Sequence, residues 1–281
     1  MKTFVHSAFV ILATGLSALA GTSNWTNTGA DSSWSDSKNW SSGIPGSSDT
    51  AIISTQPTDS VIGVDTGTLT NIVATLTFAS GLTGDLEITD AGIEQLTITS
   101  GLTGSSSHAV NFSLFVNLTG TTISGFASDL NFNGGLSLSN SVTAASTALI
   151  TLGSTSNTVV NISSASSHGS LLGAGTLLLN STDLVLNLSG SLTAGTTMQL
   201  FSAGTLSGSF DSVTLAGLYS GGLTDSNGIW SGTSGGLTWK LNETTGMLYV
   251  VPEPQSGSLL VFTSAFCVLI RRRGIWKGGR A

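Results

Sequence analysis

Leu76-Thr-Phe-Ala-Ser-Gly-Leu-Thr-Gly84 returns twenty residues later as Leu96-Thr-Ile-Thr-Ser-Gly-Leu-Thr-Gly104, with seven of nine positions identical. Stretches of the same kind follow at further twenty-residue steps, Val116-Asn-Leu-Thr and Leu136-Ser-Leu-Ser. Between them lie Leu86-Glu-Ile-Thr, Val110-Asn-Phe-Ser and Leu130-Asn-Phe-Asn. The spacing then loosens, but Val160-Asn-Ile-Ser, Leu177-Leu-Leu-Asn and Leu184-Val-Leu-Asn-Leu continue the theme. Each unit alternates apolar and polar residues, which is the period of a strand. Gly, Asn and Ser separate the units, which is turn chemistry. No helical period stands out between residues 21 and 250. Repeats of about twenty residues built from short strands and tight turns predict an all-β fold, a right-handed parallel β-helix or solenoid. Leu, Ile, Val and Phe point inward, and Thr, Ser and Asn face water. A β-sandwich of many short strands is the competing architecture, but its strands need not resemble one another.

Working outward, the flanks differ from the repeat. Residues 21–60 carry Trp25, Trp34 and Trp40, followed by Gly43-Ile-Pro45 and Asp49-Thr-Ala-Ile-Ile53. A solenoid end exposes an apolar column and unpaired strand edges, so these tryptophans are expected to form an N-terminal cap. The other role open to them is a ligand-facing platform, since indole faces stack on sugars. Residues 61–194 hold the repeats. Residues 195–250, with Trp230, Trp239 and Tyr249, are expected to close the far end.

The two termini read as addresses. Residues 1–20 have a basic start at Lys2, an apolar stretch from Phe4 to Leu19, and Ala18-Leu19-Ala20 before Gly21. This fits a secretory signal peptide cleaved after Ala20; a retained N-terminal anchor is the alternative. Residues 251–281 have three parts in order: Pro252-Glu253-Pro254, an apolar run from Ser256 to Ile270, and Arg271, Arg272 and Arg273. As a helix, the fifteen-residue run covers about 22 Å, short of the roughly 30 Å hydrocarbon core. Arginines can snorkel and extend the span, and they would keep that end cytoplasmic. A short C-terminal transmembrane helix is therefore expected; a buried helix of a soluble domain is the competing reading.

This tripartite tail resembles the PEP-CTERM sorting domain. The resemblance covers Val251 to Ala281, and Gly274 to Ala281 extend past the arginines further than the family pattern does. It implies recognition and removal of the tail by an exosortase, a membrane-embedded cysteine transpeptidase-like enzyme. It also implies a Gram-negative-type envelope and association with exopolysaccharide or biofilm matrix. The tryptophan-rich start resembles the N-terminal cap of secreted β-helical proteins with such tails, and residues 195–250 resemble the closing strands of autotransporter passenger-like proteins.

Charge and chemistry narrow the function. Only 8% of the 281 residues are charged. Between Gly21 and Val250 the basic residues are Lys38 and Lys240, against fourteen Asp and Glu, a net −12. Such a surface repels nucleic acid and other polyanions. The single cysteine, Cys267, lies in the apolar run, so no disulfide framework exists. His108 and His168 sit in Ser-rich turns and lack metal-ligand spacing, so they are expected to be exposed turn residues. No G-x-S-x-G elbow, phosphate loop or calcium repeat occurs. Asp85 with Glu87, Asp90 with Glu94, and Asp59 with Asp65 have the spacing of a hydrolase pair; solvated outward charges are the plainer reading. Asp31, Asp36 and Asp49 are candidate calcium ligands in the cap. The sequence thus predicts no catalytic residue, metal or cofactor. It predicts an exported surface or matrix protein whose partners are an exosortase-like enzyme, the membrane before processing, and exopolysaccharide. A polysaccharide-binding or polysaccharide-degrading β-helix is the rival.

Overall fold

The computed structural model describes residues 20–253, apart from 58, 65–69, 91–93, 146, 147 and 154–156. The apolar run 256–270, Pro254, Arg271 to Arg273, Cys267, Ala18 and Asp65 lie outside the described residues. Inside them the chain winds as a β-solenoid of about seven turns. The described residues contain no α-helix, only a 3-10 turn at Ser37–Asn39.

The strands stack in three parallel columns, each with its partners one coil away. The first column holds Val61–Val64, Leu86–Asp90, Val110–Phe112, Leu130–Phe132 and Leu149–Leu152, then 176–180 and 205–209. The second begins with 70–73 and 95–98 and continues through Phe115–Leu118, Leu136–Leu138, Asn157–Ile162, Asp183–Leu188 and Ser212–Gly217. The third starts at Thr22–Asn24 and Thr50–Ile53 and runs through 75–78, 101–104, Thr122–Ser124 and Ser141–Ala145 to the 170s and Phe201. Pairing in one direction between successive coils is not the arrangement of a sandwich, whose sheets are antiparallel.

Inside–outside alternation explains each strand. In Leu130-Asn-Phe132 the Leu and Phe are buried and the Asn faces out. Stacked on one another, Leu86, Val110, Leu130, Ile150 and Leu177 form one fully buried row. Each such side chain removed from water stabilises the fold by about 1.5–3 kcal/mol. Rings run through the interior as well. Phe112 stacks on Phe132 with centroids 5.4 Å apart and planes at 7°, and Phe78 meets Phe112 at 6.1 Å and Phe126 at 6.2 Å. Gly104 makes room for this: a Cβ there would lie 2.6 Å from the Phe126 ring. Outside, amides bridge coils: Asn131 Nδ2 donates to Asn111 Oδ1 at 2.8 Å and Asn187 Nδ2 to Asn161 Oδ1 at 2.7 Å.

The register corrects one inference from the sequence. The twenty-residue step does stack Leu96 on Val116 on Leu136, and Val110 on Leu130 on Ile150. The near-identical pair that reveals it does not stack. Leu76 lies over Leu102 in the third column, and Leu96 over Asn71 in the second. Every column demands the same alternation and the same glycine turns, so similar letters serve different columns. Coil length also changes along the chain, reaching twenty-nine residues where Leu184 pairs with Val213, and there the sequence period dissolves.

Both ends depart from the expected boundaries of 61 and 194. The third column already begins at Thr22–Asn24, inside the tryptophan segment. Parallel stacking persists through Ser212–Gly217, because 205–209 and 212–217 complete a last coil. Only then does the chain turn into antiparallel strands, Gly221–Ser226, Ile229–Ser234, Leu237–Asn242 and Met247–Pro252. The final strand returns to pair antiparallel with Thr197–Gln199 of the solenoid.

Removing the Phe112 ring is expected to cost about 3–5 kcal/mol, as large-to-small core changes do. Gly104→Ala is expected to cost about 1–3 kcal/mol by overpacking, whereas Ser107→Ala in an exposed turn should stay within about 0.5 kcal/mol. Urea unfolding followed by circular dichroism measures all three. Equal midpoints for Phe112→Ala and Ser107→Ala would mean the stacked interior is not what holds the fold.

Candidate functional site

The three tryptophans of the first segment converge. Trp25 meets Trp40 edge to face at 5.1 Å and Trp34 meets Trp40 at 4.8 Å. Trp40 Nε1–H donates to the Trp34 carbonyl at 2.8 Å. All three are buried, none more than 4% exposed. A sugar-stacking platform needs an accessible ring face, and these rings turn theirs toward one another and the core. Asn39, also fully buried, ties the surrounding loop through its Nδ2 to the carbonyls of Asp31 and Ser33, and through its Oδ1 to the Gly29 N–H.

The acidic residues of this segment serve turns. Asp31 accepts the Ser33 N–H, and Asp36 caps the 3-10 turn by accepting the Lys38 N–H. Asp49 accepts two backbone N–H groups, from Gly21 at 2.7 Å and Gly46 at 2.8 Å. These bonds, Gly46 first, hold its carboxyl below the ordinary 3.8. Among the described residues no three His, Cys, Asp or Glu are grouped to hold a metal ion.

Asp85 and Glu87 part company. Asp85 stands before its strand and accepts the Ala109 N–H of the next coil at 2.9 Å, with His108 Nδ1 3.9 Å away. Glu87 sits outward within Leu86–Asp90, paired in register with Asn111. Asp90 ends that strand, and Glu94 lies across 91–93 from it. Asp59 borders a small groove with Asp31, Ser33 and Gly63.

His108 and His168 are half-buried rather than exposed. His168 lines an open groove of about 380 Å³. Asn140 and Ser141 from one coil, the loop Ser166-Ser167-His168 from the next, and Thr197 and Gln199 from the coil after build it. Leu172 and Met198 supply apolar surface. Ser170 Oγ donates to Ser141 Oγ at 3.0 Å, while Gln199 Nε2 donates to the carbonyls of Thr245, at 2.6 Å, and Phe201. His168 Nδ1 is buried and has no hydrogen-bond partner among the described residues. Among the described residues the lining has hydroxyls, amides and one imidazole, and neither a carboxylate nor a cation. It can hydrogen-bond an uncharged polar ligand, but it cannot present the two carboxyls that glycoside hydrolysis needs.

At the far end, Glu243 joins the antiparallel strands to the last coil. Its Oε1 accepts Trp230 Nε1–H and the Phe210 N–H, each at 2.7 Å. Sequence reasoning passed over Glu243 and the groove, and it read Asp49 as a candidate calcium ligand rather than an acceptor for the Gly21 and Gly46 N–H groups, because each depends on which segments become neighbours. The Ser-rich loop around His168 was legible as a turn, but its facing residues were not.

Of the expected sorting and cleavage residues, Ala20, Pro252 and Glu253 are described. Pro252 ends the last strand opposite Leu237. No helix of the described residues is long and apolar enough to cross a membrane. No protein-family model, curated protein or solved structure matches the chain.

Two outcomes follow for the ends. Glu243→Ala leaves the Trp230 and Phe210 donors unpaired and should cost about 1–3 kcal/mol each; Glu243→Gln keeps an acceptor and should cost less. Limited proteolysis within 221–252 reports the difference. At the other end, the lowered Asp49 carboxyl gives stability that is present above its ordinary 3.8 and lost as pH falls through the folded value. Acid titration of tryptophan fluorescence should show a step in wild type that Asp49→Asn lacks.

Proposed function

We propose that this is an exported protein that acts as a structural or interaction element at the cell surface or in the extracellular matrix, and is not an enzyme. The observation that carries the reading is where the first and last described strands lie relative to the two terminal motifs. Among the described residues the first strand begins at Thr22, two residues after the Ala18-Leu19-Ala20 site, and the last ends at Pro252, the first residue of Pro252-Glu253-Pro254. Both boundaries fall where a leader and a sorting tail would be cut away without disturbing a coil. A solenoid also gives a long, rigid surface from a small repeating unit, which suits a stalk or matrix component.

In this proposal residues 1–20 are a signal peptide, and the tail is a PEP-CTERM-like signal read by an exosortase-type enzyme. The apolar run inserts as a short transmembrane helix, and Arg271 to Arg273 hold its end inside. Trp25, Trp34 and Trp40 cap the solenoid. The winding is right-handed, as parallel crossovers are in about 98% of cases. Exopolysaccharide or biofilm matrix is the surrounding medium.

The rival, a polysaccharide-binding module, draws support from the uncharged groove around His168. With a net −12 between Gly21 and Val250, its ligand would be a neutral glycan rather than a uronate. Removing His168 and Gln199 together should abolish retention on neutral polysaccharide if that reading holds, and leave it unchanged if the protein is a stalk alone.

Sorting supplies the direct test. Replacing Pro252-Glu253-Pro254 with alanines should leave membrane insertion intact and block processing, while serines at 271–273 should weaken retention before processing. Mass and location of the protein, in hosts with and without the sorting enzyme, give the readout. A triple-alanine protein processed like wild type would reduce the tail to a simple anchor.

A further inference from the structure

We propose that cleavage after Ala20 completes a clamp, in which the new α-ammonium of Gly21 pairs with the Asp49 carboxylate and fastens the first strand of the solenoid to the second. The inference rests on the export reading above. It adds a role for the amino terminus that cleavage would create.

The geometry is already set. Gly21 N lies 2.7 Å from Asp49 Oδ1. The other carboxylate oxygen is fixed by the Gly46 N–H at 2.8 Å, so the acceptor is held in place from behind. Gly21 O in turn accepts the Thr50 N–H at 2.8 Å. Residues 21, 49 and 50 thus close a ring of contacts where the parallel register Thr22 to Thr50 begins. Glycine suits this position: a Cβ on residue 21 would stand 3.0 Å from Asp49 Oδ1.

The chemistry changes at that one nitrogen. In the precursor it is an amide with a single hydrogen to donate. Hydrolysis by a signal peptidase adds water across the Ala20–Gly21 bond; the hydroxyl goes to the Ala20 carbonyl, and the Gly21 nitrogen becomes an amine that is protonated at neutral pH. The same contact then joins an ammonium to a carboxylate. Charge-assisted hydrogen bonds are roughly twice as strong as neutral ones. The pair is at the surface, so salt weakens it, but it sits at a strand end, where fraying starts. Nearby charges do not compete. Asp31 and Asp36 are taken up by the Ser33 and Lys38 N–H groups, and Lys38 forms no ion pair with Asp49 among the described residues.

The two partners respond to pH in opposite directions. The carboxylate contributes above its ordinary range, as its lowered value requires. An amine gaining a partner has a raised value, and its contribution is lost as pH rises through that value. The clamp therefore works from about pH 4 to pH 8.

The test uses the exported protein, first sequenced from its amino terminus. A start at Gly21 upholds the parent reading, and a start elsewhere overturns both that cleavage site and the clamp. The rate at which an amine-reactive reagent labels the Gly21 amine is then followed against pH by mass spectrometry. Wild type should show a higher midpoint than Asp49→Asn, with labelling several-fold slower at pH 8, and 1 M salt should narrow the gap. If Asp49→Asn does not fold, wild type in urea replaces it, and its midpoint should drop on unfolding. A protein starting at Gly21 whose midpoint is the same in wild type and in whichever comparison is used would overturn the clamp while leaving export intact.

Discussion

Each coil of this protein has a buried side only because another coil lies against it. A three-residue strand such as Val110–Phe112 cannot bury Val110 and Phe112 alone. It does so because Leu86 and Ile88 stand on one side and Leu130 and Phe132 on the other, in register. Parallel backbone pairing sets that register, and the side-chain rows reward it. A one-residue slip would turn every inward side chain out to water. The end coils lack one such neighbour, and the described residues differ at the two ends. At the start, among the described residues, three indoles pack into one another and Asn39 ties the loop around them. At the finish, the chain reverses into antiparallel strands and Glu243 binds them to the last coil.

Much of this was legible. Alternation in Leu130-Asn-Phe132 and its kin identified strands, and recurrence identified stacking. What the letters could not give was the column each strand joins. Leu76-Thr-Phe78 and Leu96-Thr-Ile98 read alike because both must bury their first and third residues. One lies in the third column and the other in the second. Loops between columns vary in length, and loop length costs little free energy, so nothing constrains the period to stay at twenty. The same variation hid the groove around His168, which draws on three coils whose spacing had drifted.

The function reading leans on the same boundaries. Among the described residues, parallel coils run from Thr22 to Gly217 and antiparallel strands from Gly221 to Pro252. The proposal takes the apolar start of the sequence and its apolar, arginine-bearing end as segments removed on export. Within the fold, the carboxylates Asp31, Asp36, Asp49, Asp85 and Glu243 accept backbone or indole N–H groups. They are spent on turns and on joining coils. Charges used this way hold the shape of the coils, which is the property on which the proposed surface or matrix role relies.

The stacking register is the claim on which the rest stands, and paired cysteines test it most directly. Thr77 and Thr103 are register partners whose hydroxyls lie 2.8 Å apart; adjacent strands sit about 4.7–4.9 Å apart, inside the Cα spacing of roughly 4.4–6.8 Å that a disulfide accepts. Thr77 and Thr97 match in the sequence repeat but lie in different columns. With Cys267 replaced by Ser, the protein carrying Thr77→Cys and Thr103→Cys should oxidise to an intramolecular disulfide. The protein carrying Thr77→Cys and Thr97→Cys should keep both thiols free. Disulfide formation in the second pair and not the first would contradict the account.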